Sequence, residues 1–199
     1  MCEVGTSLAV LQGACGVHLY GGRGVGKSSL ALQPAIKAAI GGRPSLVLCS
    51  QDAVANKMPK PPTPLNSLSE EVLTLIEFCY IRSAHDATTA LLSMTFIPSV
   101  IIVEEDFEEV GTNVRDAAKL LALLDNTIRW IRRKHDSSAF YILVGTDSIH
   151  NSHHEITRDL ARAHLTVMNA STVCVTVTWK QSRHVLLFMH TEEGLKRSF

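Results

Sequence analysis

The sequence predicts an α/β fold in which a mostly parallel sheet is flanked by helices and finished by a C-terminal antiparallel hairpin. Three observations carry that expectation. Short, largely apolar runs at 17–20, 45–50, 99–103 and 140–144 have the length and composition of strands buried on both faces, as a parallel sheet requires. Between them lie segments with helical apolar spacing; in 114–134, Ala117, Leu120, Leu121, Leu124, Ile128 and Ile131 form one stripe. The chain then ends in two apolar runs, 172–179 and 185–190, which read as an antiparallel pair around Gln181-Ser182-Arg183.

The elements follow in order. After the first strand, Leu30, Leu32, Ala35, Ile36 and Ile40 recur at helical spacing, and Gly41-Gly42-Arg43-Pro44 stops that helix. The run 45–50 is a buried second strand. Segment 57–66 holds Pro59, Pro61, Pro62 and Pro64, so it is an irregular surface loop. Residues 73–80 are apolar and aromatic enough for a strand, while Ser69-Glu70-Glu71 offers a competing helix start. Ser83-Ala84-His85-Asp86 caps a helix running to Met94. The strand 99–103 ends in Glu104-Glu105-Asp106, and the strand 140–144 ends in Gly145-Thr146-Asp147.

A chain of 199 residues suits one α/β domain spanning 1–199 and is short for two. Apolar residues are 46% and charged residues 19%, a globular composition. Lys+Arg and Asp+Glu are both 19, so net charge is zero and nucleic-acid binding would need local patches. Cys2, Cys15, Cys49, Cys79 and Cys174 are scattered and odd in number, which fits a reducing compartment rather than a disulfide scaffold or a zinc site. No apolar run reaches membrane-spanning length and no signal pattern opens the chain. Cytosol or nucleus is expected, with no membrane partner.

The most specific motif is Gly21-Gly22-Arg23-Gly24-Val25-Gly26-Lys27-Ser28, which satisfies G-x-x-x-x-G-K-[ST] at every defined position and runs on into Ser29. It lies between a strand and a helix, where backbone N–H groups and a helix N-terminus face a phosphate. Lys27 would reach the β- and γ-phosphates and the Ser28 hydroxyl would ligate magnesium. A P-loop NTPase domain binding ATP and Mg2+ is therefore expected. The second metal ligand should be a carboxylate ending another core strand, and Glu104 is the residue in that position. Catalysis, where present, would rest on Lys27 and Glu104. No residue stands out to orient an attacking water: the second strand ends in Gln51-Asp52 and the 140–144 strand in Thr146-Asp147. Slow hydrolysis, or binding without turnover, follows.

Two further constellations bear on function. His150-Asn151-Ser152-His153-His154-Glu155 lacks a second ligand group at matching spacing and reads as a solvent loop. Arg129, Arg132, Arg133 and Lys134 end the long helix, where cations complement the helix dipole. The same arginines with Lys180 and Arg183 form a candidate phosphate-contacting set for single-stranded DNA. Trp130 and Trp179 read as packing residues.

With these elements in place, the chain resembles a RecA-like recombinase paralogue reduced to its ATPase core. More narrowly, it is similar to the SWIM zinc-finger protein-associated ATPase of Shu-type complexes. The resemblance is carried by 21–29, by Leu46-Val47-Leu48 leading to Met58-Pro59-Lys60, and by Leu75-Ile76-Glu77-Phe78-Cys79-Tyr80. It continues through Ile101-Ile102-Val103-Glu104 with Glu108-Glu109, and through Ala118-Lys119-Leu120-Leu121-Ala122-Leu123-Leu124-Asp125. The resemblance implies ATP binding with weak ATPase activity, single-stranded DNA binding, and a heterodimer with a SWIM-domain zinc protein. It also implies a nuclear role assisting recombinase filaments in homologous recombination and DNA repair. The chain departs from that pattern at Glu104, where Asp is usual, at Gln51-Asp52, where recombinases carry a catalytic Glu, and at Thr146-Asp147, where Gln is common. It also has no Phe-x-x-Ala protomer-linking segment.

Two alternatives remain open. A small GTPase or nucleotide kinase would share the loop, but Glu105-Asp106-Phe107-Glu108 and Thr146-Asp147-Ser148 stand where guanine-specific motifs belong, and no arginine-bearing lid is evident. A scaffold with a relict loop is the other. The hairpin 173–189, expected at a sheet edge, is the candidate partner surface.

Overall fold

The structure, a computed structural model, describes residues 14–51, 59–104, 114–147, 157, 159–191 and 194–197. Its strands are β1 (Gly16–Gly21), β2 (Ser45–Cys49), β3 (Ile76–Tyr80), β4 (Val100–Glu104), β5 (Phe140–Gly145), β6 (Ala161–Asn169), β7 (Thr172–Trp179), β8 (Ser182–Thr191) and β9 (Gly194–Arg197). They form one sheet in the order β3-β2-β4-β5-β1-β6-β7-β8-β9. From β3 to β6 every neighbouring pair is parallel, and from β6 to β9 every pair is antiparallel. The helices are α1 (Lys27–Ile40), α2 (Glu70–Leu73), α3 (Ala84–Leu92) and α4 (Val114–Lys134).

Alternate residues of a strand face opposite sides of a sheet, and here both sides of the parallel part are covered. Val17, Leu19, Val47, Ile102, Ile142 and Val144 pack with Ala31, Ala35 and Ile36 of α1. Leu46, Leu48, Ile101, Val103 and Leu143 pack on the other face with Ala87 and Leu91 of α3 and Leu120, Leu124 and Ile128 of α4. This double burial is why the strand runs carry little period-two alternation. The α4 stripe read from the sequence is buried along its length, from Ala117 at 1% exposure to Ile131 at 1%.

Local stops and clamps are visible at the end of the sheet remote from the glycine loop. α1 closes with Gly42 N–H donating to Ala39 O at 2.9 Å and Arg43 N–H to Ala38 O at 2.9 Å, satisfying carbonyls the helix leaves open. Arg43 Nη1 then donates to Asp136 Oδ2 at 3.0 Å and to Ser138 Oγ at 2.6 Å, tying the end of α1 to the turn before β5. Burial works against charge on Asp136. Hydrogen bonds from the Ser138 and Ser99 hydroxyls and the Ser138 N–H, with the Arg43 charge, outweigh it and hold the carboxyl down at about 2. At α3, Ser83 Oγ accepts from Asp86 N at 3.1 Å while Asp86 Oδ2 accepts from Arg82 N at 3.0 Å, the expected cap.

The structure departs from expectation in four places. In 69–80 the two readings are both realised, as one turn of helix (α2) followed by β3. β6 was not expected: its inward positions are Ala161, Ala163 and Leu165, and alanine gives a weak strand signal. The β7–β8 turn is Lys180-Gln181 rather than 181–183, with Trp179 opposite Ser182 and Lys180 at φ 53°. Finally, β9 pairs on the outer side of β8, so the 173–189 hairpin lies inside the sheet and is not its edge. The segment 150–155 and the acidic residues 105–109 lie outside the described residues.

Truncating Leu124, fully buried between α4 and the sheet, should cost about 2–5 kcal/mol as Leu124→Ala. The same change at Leu92, 72% exposed, should stay within about 0.5 kcal/mol, both read from urea unfolding. Because the Asp136 pKa is depressed in the folded state, its contribution is present above about pH 3.8 and is lost as pH falls toward 2. Unfolding midpoints followed over pH 5 to 2 should therefore fall less steeply in Asp136→Asn than in the wild type.

Candidate functional site

β1 is held on both sides, by β5 and β6, and its C-terminal end delivers the chain into the glycine loop. At that exit Gly21 has φ +149°, and a Cβ there would sit 2.4 Å from the Leu165 carbonyl oxygen of β6. Only glycine lets the two strands lie this close. Gly22, Arg23 and Gly24 are exposed, Val25 is buried at 5%, and Gly26 is the N-cap of α1 in a left-handed conformation with φ 89°.

α1 therefore begins without a side-chain cap and without an acidic residue in its first turn. The first N–H groups of a helix have no partner within the helix, and they lie at the positive end of its dipole. Lys27, the first residue of α1, folds back on the loop: Nζ donates to Gly21 O at 3.0 Å and to Gly22 O at 2.6 Å. Those are the bonds a phosphate would compete with.

Ser28 and Glu104, from α1 and the end of β4, line one small pocket of about 10 Å³ with Cys49, Pro59 and Phe78. That is room for roughly one water. A hydroxyl and a carboxylate are hard oxygen donors of the kind magnesium takes. Among the described residues no group of three or more His, Cys, Asp and Glu could hold a metal. The pair could contribute to a magnesium site completed by waters and phosphate oxygens. Burial, then the Glu104 charge, then Cys79 push the Cys49 thiol up to about 12, so it stays protonated at neutral pH.

The other candidate residues separate. Thr146 is buried at 7%, and Asp147 is directed to β6, where His164 Nε2 lies 3.2 Å from its Oδ1. The His164 ring in turn stacks on Tyr20, centroids 4.7 Å apart. Gln51 is exposed just past β2, and Asp52 lies outside the described residues. Ser29 Oγ accepts from the Lys60 N–H at 2.9 Å, so its side chain holds the chain rather than facing the loop's ligand.

The basic set does not form one patch. Arg132 is turned inward: Nε donates to Ala139 O at 2.6 Å and Nη2 to Ala14 O at 2.7 Å, stitching α4 to the residues before β5 and β1. Its guanidinium is a structural staple. Arg129 and Arg133 are exposed on α4, with Arg129 Nε paired to Asp125 Oδ2 at 2.7 Å. Lys180 and Arg183 stand exposed at the β7–β8 turn, Lys180 Nζ 5.6 Å from the Trp179 ring centroid. β1 and β6 lie between that hairpin and β5, on which α4 packs. Trp130, read as a packing residue, is instead 50% exposed and tilted against His135. Among the described residues no helix is long and apolar enough to cross a membrane.

Arg132→Ala should strand two carbonyls and cost about 1–3 kcal/mol in urea unfolding, whereas Arg133→Ala should be near neutral. Cys49 should resist iodoacetamide at pH 7.5 in the native chain and react after unfolding, as peptide mapping would show. No protein-family model matches the chain and no curated protein matches it, so the site stands on its own geometry.

Proposed function

We propose that this chain is a P-loop NTPase with a RecA-like core that binds ATP and Mg2+ through 21–29 and acts as an accessory factor in homologous recombination and DNA repair. The observation that carries the nucleotide half is the α1 entrance. A glycine N-cap in left-handed conformation, no acidic residue in the first turn and Lys27 bonded to two loop carbonyls make a site complementary to phosphate. Lys27 would exchange its carbonyl partners for phosphate oxygens, while Ser28 and Glu104 would hold the metal, which supplies charge neutralisation for the phosphates when bound.

The pocket beside Ser28 and Glu104 is otherwise lined by apolar groups and a protonated thiol, so it offers no evident general base. ATP acts here as a conformational ligand with weak turnover at most. The recombination half rests on the sequence resemblance: a heterodimer with a SWIM-domain zinc protein in the nucleus, contacting single-stranded DNA and the recombinase. With Arg132 committed internally, Arg129, Arg133, Lys180 and Arg183 are the cations left for DNA.

Titration calorimetry with MgATP and MgGTP tests the nucleotide half. MgATP should bind, and Lys27→Ala should weaken it at least about tenfold in a variant whose cooperative unfolding transition shows that it is still folded. A strong GTP preference would point to a small GTPase, and no binding at all to a scaffold with a relict loop. For the DNA half, oligo-dT affinity of the chain with its zinc partner should fall steeply between 50 and 200 mM salt, to an extent set by the number of phosphates contacted.

A further inference from the structure

The geometry points to Lys60 as a second phosphate-contacting cation, carried over the first turn of α1 by a proline strap. This inference rests on the nucleotide site proposed above and extends it to a residue outside the glycine motif.

Residues 59–64 read from sequence only as an irregular loop. In the structure they are fastened along α1 at two points one helical turn apart. Lys60 N donates to Ser29 Oγ at 2.9 Å. Thr63 N donates to Gln33 Oε1 at 2.9 Å, and Gln33 Nε2 donates back to Thr63 Oγ1 at 2.8 Å. Ser29 and Gln33 are i and i+4 on one helix face, and Lys60 and Thr63 are spaced to meet them. Pro59, Pro61, Pro62 and Pro64 restrict the backbone between and around these bonds, and Pro61 is buried, so little conformational freedom remains to be lost when a ligand arrives.

The strap runs past the metal end of the site. Pro59 lines the pocket that holds Ser28 and Glu104. Its neighbour Lys60 has its backbone nitrogen one hydrogen bond from Ser29, two residues after Lys27. An ammonium on a flexible four-carbon stem, anchored there, can be brought to the phosphate end of a nucleotide held by the loop. The chemistry it recognises is the outermost phosphate, because the strap borders the side of the loop where Ser28 and Glu104 converge. The Ser29 hydroxyl is then a positioning group for Lys60.

Calorimetry on the full chain with MgATP and MgADP distinguishes these roles. Lys60→Ala should weaken MgATP about tenfold and MgADP less than about threefold, and Lys60→Arg should restore MgATP to within about threefold of wild type. Ser29→Ala should lose part of the MgATP affinity, and adding it to Lys60→Ala should change little further, since both remove one contact. Thermal midpoints report whether each variant is folded. Wild-type MgATP affinity retained within about twofold in Lys60→Ala, while Lys27→Ala loses it, overturns the Lys60 assignment and leaves the nucleotide site standing. Equal losses for MgATP and MgADP overturn the outermost-phosphate assignment. If the wild type binds neither nucleotide, the site proposal falls and this inference falls with it.

Discussion

The placement of the glycine loop depends on β1 being clamped between two parallel neighbours. Five consecutive residues of β1 pair with β5 and five with β6, so the strand has no freedom to tilt or slide. The chain must then leave the sheet at Gly21, against the Leu165 carbonyl, and turn at once into α1. A side chain at Gly21 would force β6 away and move the helix start with it. Apolar burial on both faces pins the strand from above and below: Val17 and Leu19 lie under α1, and Tyr141 and Leu143 of the neighbouring strand lie under α4. The loop's position is thus set by the sheet, and the glycine N-cap at the start of α1 sets how the helix dipole meets it.

Much of this was legible in the amino-acid order, for physical reasons that differ by element. β4 and β5 declared themselves because a strand covered on both faces must be apolar at every position. α4 declared itself because one wide stripe recurred over about four turns. β6 stayed hidden although Ala161-Arg162-Ala163-His164-Leu165 alternates as a strand should. Its buried positions face α1 and the strands around it, where small residues fit, and smallness erased the β signal. β9 was equally hidden, since an edge strand of four residues carries almost no pattern. The consequence was functional as well as topological, because missing β9 made the 173–189 hairpin look like an open edge.

At the site, the motif residues were readable and their surroundings were not. Spacing alone marks Lys27, Ser28 and Glu104. It cannot show that Cys49 and Pro59 share their pocket, because those contacts join β2 and the strap to α1 across long stretches of chain. Nor can composition separate an arginine that meets solvent from one that staples two strands. Arg132 and Arg133 are neighbours with opposite fates, decided by a rotation of one residue around α4 that aims one guanidinium at the Ala139 and Ala14 carbonyls. Proline content signalled rigidity in 59–64, but its purpose appeared only with the Ser29 and Gln33 contacts.

The resting loop also bears on how a nucleotide would be used. Lys27 already donates to two carbonyls, at 3.0 and 2.6 Å, so a phosphate would compete with those bonds for its ammonium. The net gain from that exchange is smaller than a bare count of phosphate contacts suggests, since each new bond replaces an old one. Strong binding would then have to come from the cooperative part: helix N–H groups, a metal that Ser28 and Glu104 would hold, and a cation supplied from outside the loop. Each of those comes from a different element, namely α1, β4 and the strap after β2. A nucleotide occupying all three would couple segments that the sheet alone leaves independent above its C-terminal edge. Among the described residues lining the pocket Glu104 is the one carboxylate, and holding a metal would take it out of use as a general base. Under the proposed function, such a site would favour a ligand-held conformation over rapid turnover.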